Sequence, residues 1–312
     1  MLCFDKLKLV TSTKLIKNFD EDKFQKISMK GKLTSYKYEQ TTPYSLSISI
    51  NYEKDELAIK FTSKISTLSF FALINEDTIY ECLCSIKPLV EFQNDVEDIL
   101  DEFVVVSCDV TKDVSYHDIK ELRGYVKSNL ANCDKWICEK WGNGFVLRNN
   151  VTTPEYKKRI VIYDKGNEIE RKKAKYKPFL ETVYDDGFIY NDFKGIVRME
   201  QNIIGKKAIL KLLNISDNRL TTVLSSNANP ILTVLNEALK EPDVNNRVIS
   251  TIKEYHCALT LKDCGNDLGK VEALIRSLYS KNTQIAKVMK PYRELYLQNN
   301  NEEAFDLRKL VQ

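Results

Sequence analysis

The sequence predicts an α+β protein in which strands occupy the first two thirds of the chain and helices the last third. Residues 45–52 (SLSISINY) and 56–63 (ELAIKFTS) alternate apolar and polar side chains around a charged turn, which predicts an antiparallel hairpin. Residues 103–106 (FVVV) form a continuous apolar run, which is typical of a central strand buried on both faces. From Lys206 onward the apolar residues recur with helical spacing.

The remaining elements follow from the same periodicities. Further strands are predicted at 5–10, 142–150, 160–163 and 195–203, and helices at 90–100, 118–130, 206–213, 230–240, 244–257 and 268–297, the last with a kink at Pro291. This pattern divides the chain into an α+β domain over residues 1–205 and a helical region over residues 206–312. The helical region could serve DNA recognition or dimerisation, and its amphipathic pattern does not separate the two.

Charge is segregated along the chain although the net charge is only +3. Residues 91–113 carry eight acidic side chains against one lysine, whereas residues 156–177 are strongly basic. An acidic segment can hold a cation and a basic one can hold a phosphate chain. The eight cysteines lack the spacing of a zinc site, so we expect reduced thiols. No signal peptide or membrane-spanning run is predicted.

The stretch from Arg159 to Lys177 (RIVIYDKGNEIERKKAKYK) carries the most chemistry. Tyr163 lies at the end of a short strand, where an activated phenol could attack a phosphodiester, and Lys165 could neutralise the developing charge. Tyr176 and Phe179 could stack on bases. Sequence-independent phosphate contacts are predicted for the basic residues that follow, which are Arg171, Lys172, Lys173, Lys175 and Lys177.

Three carboxylates on different strands or strand ends could converge on a metal ion. Asp109 follows the apolar run, Glu168 follows the Tyr163 strand, and Glu200 lies on the strand over 195–203. Hard oxygen ligands of this kind suit Mg²⁺ or Mn²⁺. Arg198 should share a face with Glu200, because the two residues are two positions apart in a strand.

Each assignment has a plainer structural alternative. Tyrosine is a favoured strand residue, so Tyr163 could be structural. Asp109 could cap a turn, and for Asp113 the role of helix N-cap is the favoured one. Arg198 and Glu200 could be an ion pair, and the basic tract could be a solvated helix surface. Only two histidines exist, so a two-histidine metal motif is absent and His117 could act only as a lone ligand.

The run IYDKGNE, preceded by CDVTKDV and followed by VRMEQNI, resembles replication proteins related to the filamentous-phage gene II/X family. NPILTVLNE and the hairpin ending in FTSKI are similar to the variant of that family found in Bacteroides-type phages and plasmids. The resemblance covers roughly residues 1–240. It implies an antiparallel sheet backed by helices, of the Rep or relaxase type, in a protein of the bacterial cytoplasm.

This resemblance implies initiation of rolling-circle DNA replication. Such a protein nicks one strand of origin DNA, single-stranded or supercoiled, keeps the 5′ phosphate on a tyrosine, leaves a 3′ hydroxyl for a polymerase and later rejoins the strand. Tyr163 matches the family's tyrosine, Lys165 its lysine, Glu168 the following glutamate and Asp109 the acidic residue of the earlier strand. Arg198 and Glu200 match the later strand. The partners implied are a host helicase and polymerase, with an oligomer possible.

The sequence departs from many relatives, which hold their metal with a histidine-hydrophobic-histidine pair that is absent here. Tyr156 and Tyr190 are rivals of Tyr163 for the role of nucleophile. Two further hypotheses stay open. A metal-dependent nuclease that uses water would need the carboxylates but no tyrosine, and a non-catalytic origin-binding protein would need neither.

Overall fold

The computed structural model describes residues 2–29, 32–151, 153, 157–183, 192–240, 251–265, 267–279, 281–301 and 305–312. The chain divides into two compact units, one of residues 1–240 with 308–312 and one of residues 241–307. The division therefore falls after Lys240 and not after residue 205 as predicted. The helices between residues 206 and 240 belong to the larger unit because they pack on its strands.

Twelve strands occur in the described part of the chain, and ten of them form one sheet. In chain order they are β1 Phe4–Thr11, β2 Ile16–Phe19, β3 Gln25–Met29, β4 Lys32–Gln40, β5 Leu46–Asn51, β6 Glu56–Thr62, β7 Val90–Phe92, β8 Val104–Ser115, β9 Trp136–Trp141, β10 Gly144–Asn149, β11 Arg159–Asp164 and β12 Ile196–Ile204. The sheet has the order β3-β4-β5-β6-β1-β8-β12-β11-β10-β9, and β2 pairs with β7 separately. Every neighbouring pair is antiparallel, which confirms the predicted fold class and the β5–β6 hairpin.

The described helices are α1 Ile79–Cys84, α2 Val96–Ile99, α3 Ile119–Ser128, α4 Lys165–Arg171, α5 Lys173–Val183, α6 Lys206–Leu213, α7 Leu220–Leu224, α8 Pro230–Ala238, α9 Ile252–Asp263, α10 Leu268–Leu278, α11 Asn282–Asn301 and α12 Leu307–Val311. The prediction of one helix over residues 90–100 is wrong, because β7 occupies the start of this range and only Val96–Ile99 is α-helical. The helix predicted over 268–297 is two helices, and Pro291 lies inside the second. None of the described helices is long and apolar enough to cross a bilayer.

The ten-stranded sheet has one apolar face and a second face, called the polar face below, on which polar and charged side chains of the central strands lie beside the buried Val146 and Val161. Side chains of adjacent strands that pair directly point to the same side, so the register assigns each residue to a face. Leu7, Ile59, Ile48 and Met199 on one face are fully buried, and α6, α7 and α8 pack against β8 and β12. The other face carries polar and charged side chains along the central strands β1, β8, β12 and β11.

The smaller unit is built on helices alone in its described part. α9 begins with a capping box between Thr251 and Glu254. Its apolar contacts with α10 and α11 form a core of Cys257, Leu261, Val271, Ile275, Ile285, Met289 and Leu295. The start of the helix predicted over 244–257 lies outside the described residues, and α9 extends beyond its predicted end.

Candidate active site

The polar face of the central strands brings Tyr163, Arg198 and Asp113 into one row. Tyr163 on β11 pairs with Arg198 on β12, which pairs with Asp113 on β8. Glu200 lies two residues from Arg198 and therefore on the same face, as the sequence predicted. The row places a phenol, a guanidinium and two carboxylates on three adjacent strands.

Tyr163 and Glu200 form the shortest side-chain hydrogen bond in this row. The Tyr163 hydroxyl donates to Glu200 Oε1 at 2.6 Å, and the tyrosine is only 6% exposed. Burial, and then the charge of Glu200, raise the pKa of the Tyr163 phenol above its ordinary value. Burial, and then the negative charge of Asp5, raise the pKa of Glu200. A carboxylate with increased proton affinity thus accepts a hydrogen bond from a phenol whose own pKa is also raised.

Arg198 is held by two carboxylates and is almost fully buried. Its Nε and one terminal nitrogen donate to the two oxygens of Asp113, each at 2.7 Å. The other terminal nitrogen donates to Asp5 Oδ1 at 3.1 Å. Burial opposes the charged form, but Asp113 and then Asp5 raise the pKa of Arg198. The proposed N-cap role of Asp113 is wrong, because β8 continues to Ser115 and Asp118 caps α3.

Asp5 reaches this site because β1 is irregular. The register with β8 shifts between Phe4 and Lys6. Phe4 and Leu7 are buried on the apolar side, so Asp5 and Lys6 both turn to the polar face, as a β-bulge allows. Burial would raise the pKa of Asp5, but Arg198, followed by Lys165, lowers it. Sequence analysis missed Asp5, and alternation alone would have placed it opposite Lys6.

Lys165 lies at the start of α4, beside the end of the Tyr163 strand. Gly166 and Asn167 belong to the first turn of this helix, which Asp164 caps. Lys165 Nζ donates to Glu168 Oε2 at 2.8 Å and lies 5.7 Å from the centre of the Tyr163 ring. Burial would raise the pKa of Glu168, but Lys165 lowers it to about 2.

The three predicted metal ligands do not form one ligand set. Asp109 lies inside β8 rather than at its exit, and it accepts hydrogen bonds from Lys6 and Asn202. Glu168 pairs with Lys165, and Glu200 with Tyr163. In the part of the chain that the structure describes, no group of three histidine, cysteine or acidic side chains is placed to hold a metal ion. We therefore assign no step to a metal bound by these three carboxylates.

His117 lies beyond the end of β8, where its side chain is exposed. It packs against Gly195, whose φ is +74°, and a Cβ at that glycine would approach the imidazole Nδ1 to 2.6 Å. The structure therefore gives His117 a packing contact, and among the described residues it belongs to no group of three side chains that could hold a metal ion.

The basic tract lies on α4 and α5. Arg171, Lys172, Lys173, Lys175 and Lys177 are all exposed. Tyr176 and Phe179 are not available for stacking as predicted, because they are buried in a cluster with Phe70, Ile169 and Phe193. Tyr176 instead donates its hydroxyl to Glu168 at 3.1 Å.

Lys64 is a second lysine near this site, after Lys165, and sequence analysis missed it. Its Nζ lies 3.5 Å from the centre of the Tyr176 ring. Burial, and then the charge of Lys165, lower the pKa of Lys64 to about 7. The rival nucleophiles Tyr156 and Tyr190 lie outside the described residues.

Comparison with protein-family models and with curated proteins finds no match for this chain. The resemblance to rolling-circle replication proteins therefore stays a prediction.

Proposed function

We propose that this chain is a DNA nicking and joining enzyme that starts rolling-circle replication through a tyrosine-linked intermediate. The observation that carries the proposal is the 2.6 Å hydrogen bond from the Tyr163 hydroxyl to Glu200 on a buried polar row. A nucleophile in contact with a general base, with cations nearby, is the arrangement that phosphoryl transfer to a side chain requires.

The chemical step transfers one phosphodiester to the protein. Tyr163 passes its proton to Glu200, and the phenolate oxygen attacks the phosphorus. The bond from phosphorus to the 3′ oxygen breaks, that oxygen takes a proton from solvent and leaves as a 3′ hydroxyl, and Glu200 releases its proton to solvent. The 5′ phosphate stays on Tyr163 as a phosphotyrosine ester. Attack by a 3′ hydroxyl reverses the step and rejoins the strand.

The neighbouring cations have different roles in this proposal. Arg198 is engaged by Asp113 and Asp5, so it fixes β1, β8 and β12 beside the phenol and acts as a positioning residue. Lys165 is the better candidate for stabilising the charge that develops on the phosphate, because it has one carboxylate partner, Glu168, rather than two and lies at the end of the Tyr163 strand. No residue of this site is assigned to the expected Mg²⁺ or Mn²⁺, and the assay below supplies Mn²⁺ together with the DNA.

The polar face extends from this site toward β1 and β6 and offers a path for a DNA strand. Lys8 pairs directly with Lys60 on β6 and with Ser107 on β8. Neither lysine has a carboxylate partner among the described residues. Two like charges opposite each other destabilise a sheet unless an anion neutralises them. A phosphate chain would supply that charge, and the exposed basic residues of α4 and α5 would add contacts.

One observation favours a second candidate, a protein that binds origin DNA without cutting it. The Tyr163 side chain is 6% exposed, so its hydroxyl is poorly accessible to a phosphodiester. The same experiment separates this candidate from the enzyme and from a nuclease that uses water.

The test is incubation of the full chain with Mn²⁺ and supercoiled DNA that carries its own upstream region, followed by mass spectrometry of DNA-linked peptides. We expect an adduct on Tyr163 that is lost in Tyr163→Phe and kept in the matched variant Tyr176→Phe. An adduct on Tyr156 or Tyr190 would keep the function and move the nucleophile. Cleavage without an adduct would indicate the water-using nuclease, and binding without cleavage the non-catalytic protein.

A further inference from the structure

Trp141 lies beside the proposed nucleophile on the polar face of the sheet. It ends β9 and pairs with Gly144 on β10, which pairs with Tyr163 on β11. The centres of the indole and phenol rings are 6.5 Å apart, with the ring planes at 63°. Trp141 therefore extends the row of Tyr163, Arg198 and Asp113 toward the β9 edge of the sheet.

Gly144 is the residue between the two rings, and no larger side chain fits there. A Cβ at Gly144 would lie 2.0 Å from the carbonyl oxygen of Ile162 and 2.6 Å from the Cα of Tyr163. Both atoms are backbone, so the strand would have to move to admit an alanine. The close approach of β10 to β11 thus requires glycine and leaves the row without a side chain between Trp141 and Tyr163.

The exposure of Trp141 sets it apart from the other tryptophan in the chain. Trp141 is 48% exposed, whereas Trp136, at the start of the same strand, is 1% exposed and is buried with the apolar face. The guanidinium of Arg159 lies 6.0 Å from the centre of the indole. This cation–π contact accounts for the position of the ring but leaves nearly half of the side chain in solvent.

We infer that Trp141 is the stacking platform for the nucleobase next to the phosphodiester that Tyr163 attacks. This inference rests on the proposed function. An exposed indole can stack on any base, and a cation beside it can contact the adjoining phosphate, so the pair suits single-stranded DNA without sequence preference. Trp141 is therefore a positioning residue, which holds the DNA strand while Tyr163 reacts.

The test uses a chain that cannot nick, so that binding is measured alone. In the Tyr163→Phe background we would titrate a labelled single-stranded oligothymidylate and an abasic phosphodiester chain of the same length. Trp141→Leu should weaken binding of the oligothymidylate about tenfold and leave the abasic chain unchanged, because only the former offers bases for stacking. Trp141→Phe should restore part of the affinity. The matched control is Tyr52→Leu, which removes a 53% exposed aromatic ring from the β5–β6 turn and should change neither.

Fluorescence gives a second readout that needs no loss of affinity. In Trp136→Phe the indole of Trp141 is the sole tryptophan, and oligothymidylate should quench its emission while the abasic chain should not. Equal affinities of Trp141→Leu and its parent for oligothymidylate, or equal quenching by both chains, would overturn the inference. If Tyr163 forms its adduct and Trp141→Leu binds normally, only the platform fails. If Trp141 stacks but no adduct forms, the proposed chemistry fails, and Trp141 is a base-binding residue of a protein that does not nick.

Discussion

Replacing Arg198 by methionine should destabilise the larger unit by about 3–5 kcal/mol near neutral pH. The substitution keeps most of the side-chain volume but removes a guanidinium that is 3% exposed and holds both Asp113 and Asp5. Deleting the buried partner of an ion pair is costly, because Asp5 and Asp113, whose side chains are only 24% and 26% exposed, are left without this counterion and with little solvent. The matched control is Arg148→Met on the same face, whose partner Glu139 is exposed at the sheet surface, and it should change the unfolding free energy far less.

The loss of unfolding free energy in Arg198→Met should also depend on pH, and the pKa of Asp5 sets the direction. Burial would raise the pKa of Asp5, and Arg198 is the main group that lowers it. In the wild type, Asp5 therefore adds stability above its unfolded pKa of about 3.9, and this contribution is lost as the pH falls through its lower folded value. In the variant Arg198 no longer lowers the pKa of Asp5, although Lys165, Lys6 and Lys64 still do. That pKa therefore lies above its wild-type value, and the charge of Asp5 contributes less stability near neutrality. The stability difference between the two proteins should shrink from about pH 7 to about pH 4.

Urea unfolding followed by tryptophan fluorescence measures this difference. Both tryptophans of the chain, Trp136 and Trp141, lie in the larger unit, so the signal does not report the unfolding of residues 241–307. A loss below about 1 kcal/mol, or the same loss at both pH values, would refute the assignment of Arg198 as the counterion of two partly buried carboxylates.

Two further predictions concern the chemistry and the DNA path. Glu200→Gln should lower the nicking rate by about 10²–10⁴-fold, as expected for loss of a general base. Asp109→Asn should stay within about tenfold of the wild-type rate. Equal losses of rate in the two variants, measured in quantitative nicking assays, would instead support a metal site shared by Asp109 and Glu200. The double variant Lys8→Ala with Lys60→Ala should reduce the slope of log affinity against log salt for single-stranded DNA by about 1.4, because two phosphate contacts are lost. The control is Lys17→Ala, which should not change this slope. Lys17 pairs with Glu91 on the separate two-stranded sheet. An unchanged slope in the double variant would place the DNA elsewhere.

Much of the fold could be predicted because periodicity is a local property. The hairpin of β5 and β6 and helix α6 are found where the alternation and the helical spacing put them. The common face of Arg198 and Glu200 also follows from a spacing of two. Strand pairing between distant segments is not local, and neither the position of β1 between β6 and β8 nor the added β9 edge was predicted.

The site was predicted where it depends on one strand and missed where it depends on several. Tyr163, Lys165 and Glu168 lie within six residues, and the sequence alone suggested their proximity. The Tyr163–Glu200 hydrogen bond needs the register of β11 against β12, which no spacing along the chain contains. The sequence predicts a helix cap for Asp113 because aspartate before a helix usually has that role. In the structure β8 continues past Asp113, and the Asp113 carboxylate accepts a hydrogen bond from Arg198.

The bulge in β1 is the feature on which the polar row depends most. In a regular strand successive side chains alternate between faces, so Asp5 and Lys6 could not both reach the polar side. The extra residue at this bulge turns Asp5 to Arg198 while Phe4 and Leu7 keep their places in the core. Because a shift of one residue would move Asp5 away from the guanidinium and expose the apolar side chains, the same ion pairs that position the proposed nucleophile also fix the register of the central strands. The proposed function and the sheet register therefore depend on one set of contacts in the middle of the sheet.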